Sequence, residues 1–285
     1  MTEIESSGEF HQSHVELQRQ GTWLVVYFVL TFVVTWSCWA LAAYLRGSPA
    51  LSQAIFLIGV FTPGILAVAF TLRVEGEAGV RAILGRIAKW NVSWRFYAFA
   101  IAFMPFLKLV AAALHRALTG SWPRFGDTPI VLMLAALLVS TWVQAGEEIG
   151  WRGYALPRMS RRLGLGAASV LLGLIWASWH LPLFFYPNSD MRGQSFALYF
   201  AQVMAISVVI GWLYWRTGRS LLVVMLFHAA VNNLKDIVPS AIKSPADSYF
   251  AGASLLGLIS LSLLWISAAF FLYQMRGVAL IDDAR

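Results

Sequence analysis

Long apolar runs separated by short polar connections set the pattern of this chain. A bilayer-spanning helix needs about 20 mostly apolar residues. Eight runs qualify or nearly qualify: residues 22–45, 51–72, 96–114, 130–148, 167–186, 196–215, 221–234 and 251–275. The seventh is short and carries His228, Asn232 and Asn233, so hydropathy alone is prone to miss it. Between the second and third runs, Val80, Ile83, Leu84, Ile87 and Ala88 recur at helical spacing among Arg81, Arg86 and Lys89. That spacing predicts an amphipathic basic helix within residues 73–95, lying at the membrane interface. Residues 1–22 are polar and of mixed charge and read as a short, loosely ordered cytoplasmic tail; they lack the basic start and small-residue cleavage site of a signal peptide. No internal repeat is evident. The expected fold class is all-α: a polytopic bundle of about eight transmembrane helices plus the interfacial helix. The expected domains are a single membrane-embedded unit over residues 23–275, with its motif core at 141–233, and a C-terminal tail at 276–285.

Composition sharpens this reading. The chain is 59% hydrophobic and 12% charged, about half the charged share of an ordinary soluble domain. The net charge of +7 suits basic cytoplasmic loops facing anionic lipid, and no aromatic-basic pattern points to nucleic acid. Lys and Arg concentrate on one side of the predicted topology, in residues 73–95, 158–162 and 216–219. The other side holds roughly half as many, which places both termini in the cytoplasm. The single cysteine, Cys38, forbids an intrachain disulfide and a cysteine metal site, and reads as a small buried apolar residue. His11 and His14 read as a solvated pair in the tail.

The chemistry begins at residues 141–154, TWVQAGEEIGWRGY, which leave an apolar run without a turn signal. A carboxylate at a membrane helix centre costs about 3 kcal/mol or more, and here Glu147 and Glu148 are adjacent, with Arg152 following. On a helix, Glu148 and Arg152 share a face and can pair, whereas Glu147 points about 100° away. Glu147 therefore needs partners from other helices. Two later stretches offer them: Trp176 to Pro182, WASWHLP, with His180, and Phe227 to Asn233, FHAAVNN, in which His228 and Asn232 are four apart. Each has a plain structural reading. Glu147 is either a hydrogen-bond acceptor or a base, His180 a packed residue beside a helix irregularity at Pro182, and His228 with Asn232 an interhelical hydrogen-bonding pair. An ionisable cluster drawn from three segments favours function. Glu148 and Arg152 read mainly as a structural pair, and Asn233 as a helix-end residue. Lys108 either snorkels, pairs with an acidic residue of another helix, or faces a polar cavity.

Together EExxxR, an aromatic residue four before His, and HxxxN, in that order on successive apolar segments, resemble the CAAX-protease and bacteriocin-processing (CPBP, or Abi) family of intramembrane proteases. The resemblance runs from Thr141 to Asn232. The chain has no Gly-x-Ser-x-Gly, no HExxH and no Cys–His pair, which leaves attack by water on a peptide carbonyl. Such a reaction needs a base and oxyanion donors. Glu147 is the expected base, His180 shares or orients the water, and His228 and Asn232 donate to the oxyanion; the resemblance implies the same assignments. Glu148, Arg152 and Trp176 are supporting. The family usually has Phe where Trp176 stands, which bears on pocket shape. Two His and one Glu can bind Zn²⁺ with an open position, and the family is often described as metalloproteases; yet Glu147 does not easily serve as both ligand and base. The cofactor expectation is therefore none, or a single Zn²⁺ held through His180 and His228. The resemblance implies a prenylated CAAX-type or bacterial membrane-associated peptide as substrate, in a multi-pass protein of a prokaryotic plasma membrane. A rival reading is a transporter or proton pathway using the same cluster; transporters often show repeated halves, and none is found.

Overall fold

The computed structural model describes residues 2–186, 189–240 and 253–279, with side chains from residue 21 onward. Nine α-helices are present among the described residues: α1 (Thr2–Tyr44), α2 (Pro49–Gly85), α3 (Trp94–Thr119), α4 (Ile130–Val143), α5 (Ala145–Glu148), α6 (Leu156–Trp179), α7 (Phe196–Arg216), α8 (Leu221–Leu234) and α9 (Leu255–Gln274). A π-helical segment, Ile149–Ala155, joins α5 to α6, and no β-strand occurs among the described residues. Helix ends follow local chemistry. Pro49 opens α2, where its missing N–H costs nothing. Gly120, at φ 77°, closes α3 in the left-handed conformation that favours glycine. The Ser220 hydroxyl accepts from the Val223 N–H at 3.3 Å to cap α8, and Ser254 does the same for Gly257 at 3.0 Å in α9.

Among the described residues, six helical runs are long and apolar enough to cross a membrane. One of them, Ile130–Trp179, has 50 residues and contains the fourth expected span and most of the fifth. At 1.5 Å per residue it is about 75 Å long, more than twice the hydrocarbon thickness. It turns back at Gly164, whose φ of 73° and ψ of 161° are non-helical. The short seventh run is α8, of 14 residues. The outward faces of α1 and α4 expose Val25, Val29, Val33, Val131, Leu138 and Val139. A soluble monomer rarely exposes so much contiguous apolar surface; the chain is an integral membrane protein with an all-α bundle.

Helix α1 starts within the polar N-terminal stretch, at Thr2; the stretch is free of proline, and polar residues such as Glu and Gln do not by themselves break a helix. The amphipathic helix predicted within residues 73–95 is present: Gly76 (φ 69°, ψ −167°) breaks α2 in a conformation nearly exclusive to glycine, and residues 77–85 form a second helical arm beyond the break. Its basic side is tied to the turn between α7 and α8. Lys89 Nζ donates to the Gly218 carbonyl at 2.6 Å, the Ser220 hydroxyl to the Lys89 carbonyl at 2.7 Å, and Arg86 to the Tyr214 hydroxyl at 3.1 Å. The first residues of the eighth expected span, 251–252, and the end of the C-terminal tail, 280–285, lie outside the described residues.

Helix α2 presses directly on the functional segment. A Cβ added to Gly64 would sit 2.8 Å from the Gly146 carbonyl oxygen, and one added to Gly146 would sit 2.9 Å from the Phe61 Cα. Small residues permit this backbone approach, as at other membrane helix contacts. Because the obstacles are backbone atoms, Gly146→Ala is expected to cost about 1–3 kcal/mol, read as a lower thermal unfolding midpoint in detergent, and to shift Glu147 with it.

Candidate active site

The polar cluster is built on the α5–π–α6 run. Glu147 and Glu148 end α5, and Arg152 lies in the following π-helical turn. π-Turns inside helices are rare and recur at functional sites. Its glycines serve packing: a Cβ on Gly150 would meet the Tyr27 hydroxyl at 2.5 Å and Pro63 at 2.7 Å. Tyr27 in turn donates to the Pro63 carbonyl at 3.1 Å, which braces α1, α2 and the π-turn together.

Glu148 and Arg152 are both fully buried. Arg152 Nη1 donates to Glu148 Oε1 at 2.9 Å, and Nη2 reaches the Ser207 hydroxyl on α7 at 3.4 Å. The Arg152 guanidinium carbon lies 4.4 Å from the centre of the Trp176 ring, a cation–π contact that gains strength when desolvated. His228 joins the same carboxylate, its Nδ1 2.8 Å from Glu148 Oε1. Because a carboxylate only accepts, His228 donates from Nδ1 and presents Nε2. The satisfaction is incomplete: among the described residues Glu148 Oε2 and Arg152 Nε have no hydrogen-bond partner.

Glu147 turns the other way, as its spacing requires. It is 6% exposed, and Oε2 accepts from Trp176 Nε1 at 2.6 Å and Trp151 Nε1 at 3.4 Å. His180 closes α6, with Nδ1 2.8 Å from the Trp176 carbonyl. That carbonyl accepts, so the His180 proton sits on Nδ1 and Nε2 carries the free lone pair. The His180 ring packs edge-on against Trp179 and Tyr199, with centroids at 4.8 and 5.6 Å. The Trp176 ring lies 5.1 Å from that of His228 and 5.8 Å from that of His180. Glu147, His180 and His228 are close enough for the charges of Glu147 and His228 to act on His180.

The structure thus brings together Glu147, Glu148, Arg152, Trp176, His180 and His228 from α5, the π-turn, α6 and α8. Asn232 stands apart: it is exposed, one turn beyond His228 on the same face of α8, and no hydrogen bond joins it to the described residues. Asn233 is not a mere helix-end residue. It donates to the Ser140 hydroxyl at 2.6 Å and the Ala229 carbonyl at 2.7 Å, linking α8 to α4. Trp176 is more than a pocket wall, since its N–H holds Glu147. Trp176→Phe, which restores the residue usual in the family, is expected to slow turnover about tenfold, the value of one charge-assisted hydrogen bond, with an unchanged unfolding midpoint.

The helical run continues beyond Glu147 through the π-turn to the break at Gly164, and the inward part of α6 starts at Leu165. Trp151, Tyr199 and Ser207 went unnoticed. Trp151, four residues after Glu147, was available from spacing alone; Tyr199 and Ser207 carry no signal in the sequence.

For a metal, the donor set does not assemble. Among the described residues no group of three or more His, Cys, Asp or Glu side chains is arranged to hold an ion. One oxygen of each carboxylate is already engaged, Glu147 Oε2 by indole N–H groups and Glu148 Oε1 by Arg152 and His228. No step is therefore derived through a metal.

An all-helical membrane protein with a buried Glu–His–Arg cluster is thus the class defined by fold and site. Residues 127–234, which contain every residue of that cluster, match the family described as type II CAAX prenyl endopeptidase Rce1-like. The chain is also 28% identical over 224 residues to the CAAX prenyl protease 2 of Methanococcus maripaludis, a similarity covering 73% of this chain and 82% of that protein. The chain is thus similar to the Rce1-like CAAX prenyl endopeptidases, and the similarity supports a protease. These matches disfavour the transporter reading.

Proposed function

We propose that this protein hydrolyses a peptide bond within the bilayer by water that Glu147 activates. The observation that carries the reading is the presentation of Glu147: a nearly buried carboxylate fixed by two indole N–H groups, beside a histidine whose Nε2 lone pair is free. Glu147 takes a proton from water, and His180 Nε2 accepts the hydrogen bond that orients it. The water oxygen bonds to the carbonyl carbon, and the carbonyl π pair moves to its oxygen. In this role His228 is protonated on both nitrogens, with Nδ1–H donating to Glu148 and Nε2–H to the oxyanion. Asn232 is the second donor. Glu147 then passes its proton to the leaving nitrogen as the C–N bond breaks, so the base regenerates itself. Glu148 and Arg152 position His228 and Trp176 rather than react.

The substrate class follows the relative's name: a prenylated CAAX-type protein, or a comparable membrane-associated peptide. The orientation, with both termini in the cytoplasm of a prokaryotic cell, rests on the clustering of Lys and Arg in residues 73–95, 158–162 and 216–219. Labelling of single cysteines in residues 158–162 from outside the cell would reverse it.

The deciding experiment is cleavage of a farnesylated peptide by purified protein in nanodiscs, followed by mass spectrometry with and without a chelator. Cleavage that survives the chelator is expected; no cleavage in either case, by well-folded protein, sinks the reading, and cleavage lost only with the chelator sinks its metal-free form. Asn232→Ala is expected to slow the reaction by about 100- to 1,000-fold, as loss of an oxyanion donor does elsewhere, without lowering the unfolding midpoint. An unchanged rate would remove Asn232 from the site.

A further inference from the structure

A cavity of about 300 Å³ lies between α3, α7 and α9 and the connections at residues 190–195 and 235–240. That is within the range of small-ligand pockets. It shares a wall with the catalytic cluster, because Tyr199 lines it and packs on His180. Lys108, from the middle of α3, also lines it and is only 5% exposed. A buried cation on a spanning helix is costly and marks a function by default. The mechanism above does not use it.

The ammonium of Lys108 has three donors. Among the described residues it makes one hydrogen bond, to the Ser240 hydroxyl at 2.6 Å, and no carboxylate lies within ion-pair distance. Asp236 acts on it from the exposed rim, against Lys235, and Lys235 is itself 3.5 Å from Asp190. Among the described residues, two donors of this desolvated ammonium have no partner. The acidic residues at the rim oppose a dianion such as phosphate and tolerate a single negative charge. Gln194, Gln202 and Ser260 on the walls offer partners to peptide amides.

We propose that Lys108 anchors the C-terminal carboxylate of the peptide substrate. The inference rests on the endopeptidase reading above. A CAAX motif ends the chain, so the free carboxylate is only a few residues from the bond that is cut. A cation one cavity away from Glu147 then holds the departing segment and sets where along the substrate the scissile bond falls. Lys108 is a specificity residue in this scheme and touches no reacting atom.

The test pairs two farnesylated peptides, identical except for a C-terminal carboxylate or amide, with the protein in nanodiscs. The parent is expected to cleave the acid with a kcat/KM about 10- to 100-fold higher, the worth of a hydrogen-bonded charge, mostly through KM. In Lys108→Met, folded by its unfolding midpoint, the ratio of acid to amide falls to about one. The acid–amide comparison on the unaltered protein needs no variant, and Ser240→Ala, expected to lower the ratio partly, substitutes if Lys108→Met does not fold. Equal cleavage of both peptides by the parent, or a preference that persists in Lys108→Met, overturns the inference and leaves the protease reading standing. If the parent cleaves neither, the protease reading fails, and binding of the tripeptide acid against its amide still decides the site. Thermal stabilisation by the acid alone, lost in Lys108→Met, supports it; equal or absent stabilisation overturns it.

Discussion

Glu147→Gln is expected to purify and unfold like the parent protein and to cleave peptide at least about 1,000-fold more slowly, within the range for loss of a positioned base. Gln matches Glu in volume and keeps an oxygen that accepts from Trp176 and Trp151, now 2.6 and 3.4 Å from Glu147 Oε2. The local packing is therefore retained, including the close approach of Gly146 to α2. What is lost is the group that takes a proton from water and returns it to the leaving nitrogen. The measurement is single-turnover cleavage in nanodiscs beside a thermal unfolding curve. A Glu147→Gln protein that cleaves at the parental rate would show that the base lies elsewhere.

Arg152→Ala is expected to have the largest effect on stability, a loss of about 3–5 kcal/mol, the cost of breaking a buried ion pair on one side. Glu148 and Arg152 both have no solvent exposure. Removing the guanidinium leaves the carboxylate with His228 alone and already one oxygen without a partner. It also takes away the cation over the Trp176 ring, the ring whose N–H holds Glu147. Activity is expected to fall with stability for that reason. A double-mutant cycle separates the terms: Glu148→Gln with Arg152→Met should lose less than the sum of the two single changes, because the residues share one interaction. Additive losses, or an Arg152→Ala protein that melts like the parent, would contradict the pairing as a source of stability.

Where charge met an apolar run, the sequence was readable. Glu147, Glu148, Arg152, His180 and His228 stand out because burying each is costly, and the 100° step between neighbours separates the two glutamates onto different partners. The spans were readable for the same reason, as lengths of apolar chain. Geometry that departs from a straight α-helix was not. The π-turn at Ile149–Ala155 and the bends at Gly76 and Gly164 depend on what packs against them, and glycine in a span signals a close contact as often as a bend. Trp176 illustrates a second limit. One indole among 13 tryptophans carries no cost in lipid, so its bond to Glu147 is invisible until the helices are placed. Asn232 shows a third: spacing puts it on the face of His228 but does not say whether that face is covered.

The bend at Gly164 has a practical consequence for handling the protein. Leu165 N–H donates to the Val278 carbonyl at 2.6 Å, and a Cβ on Gly21 would meet Arg162 at 2.7 Å, so the chain enters and leaves the bundle at the same end as this bend. The mouth beside Lys108, ringed by Asp190, Lys235 and Asp236, is at the opposite end. A label on Arg162 or Val278, beside that bend, therefore stays clear of the mouth, whereas one on Asp190 or Gln194 sits on its lining.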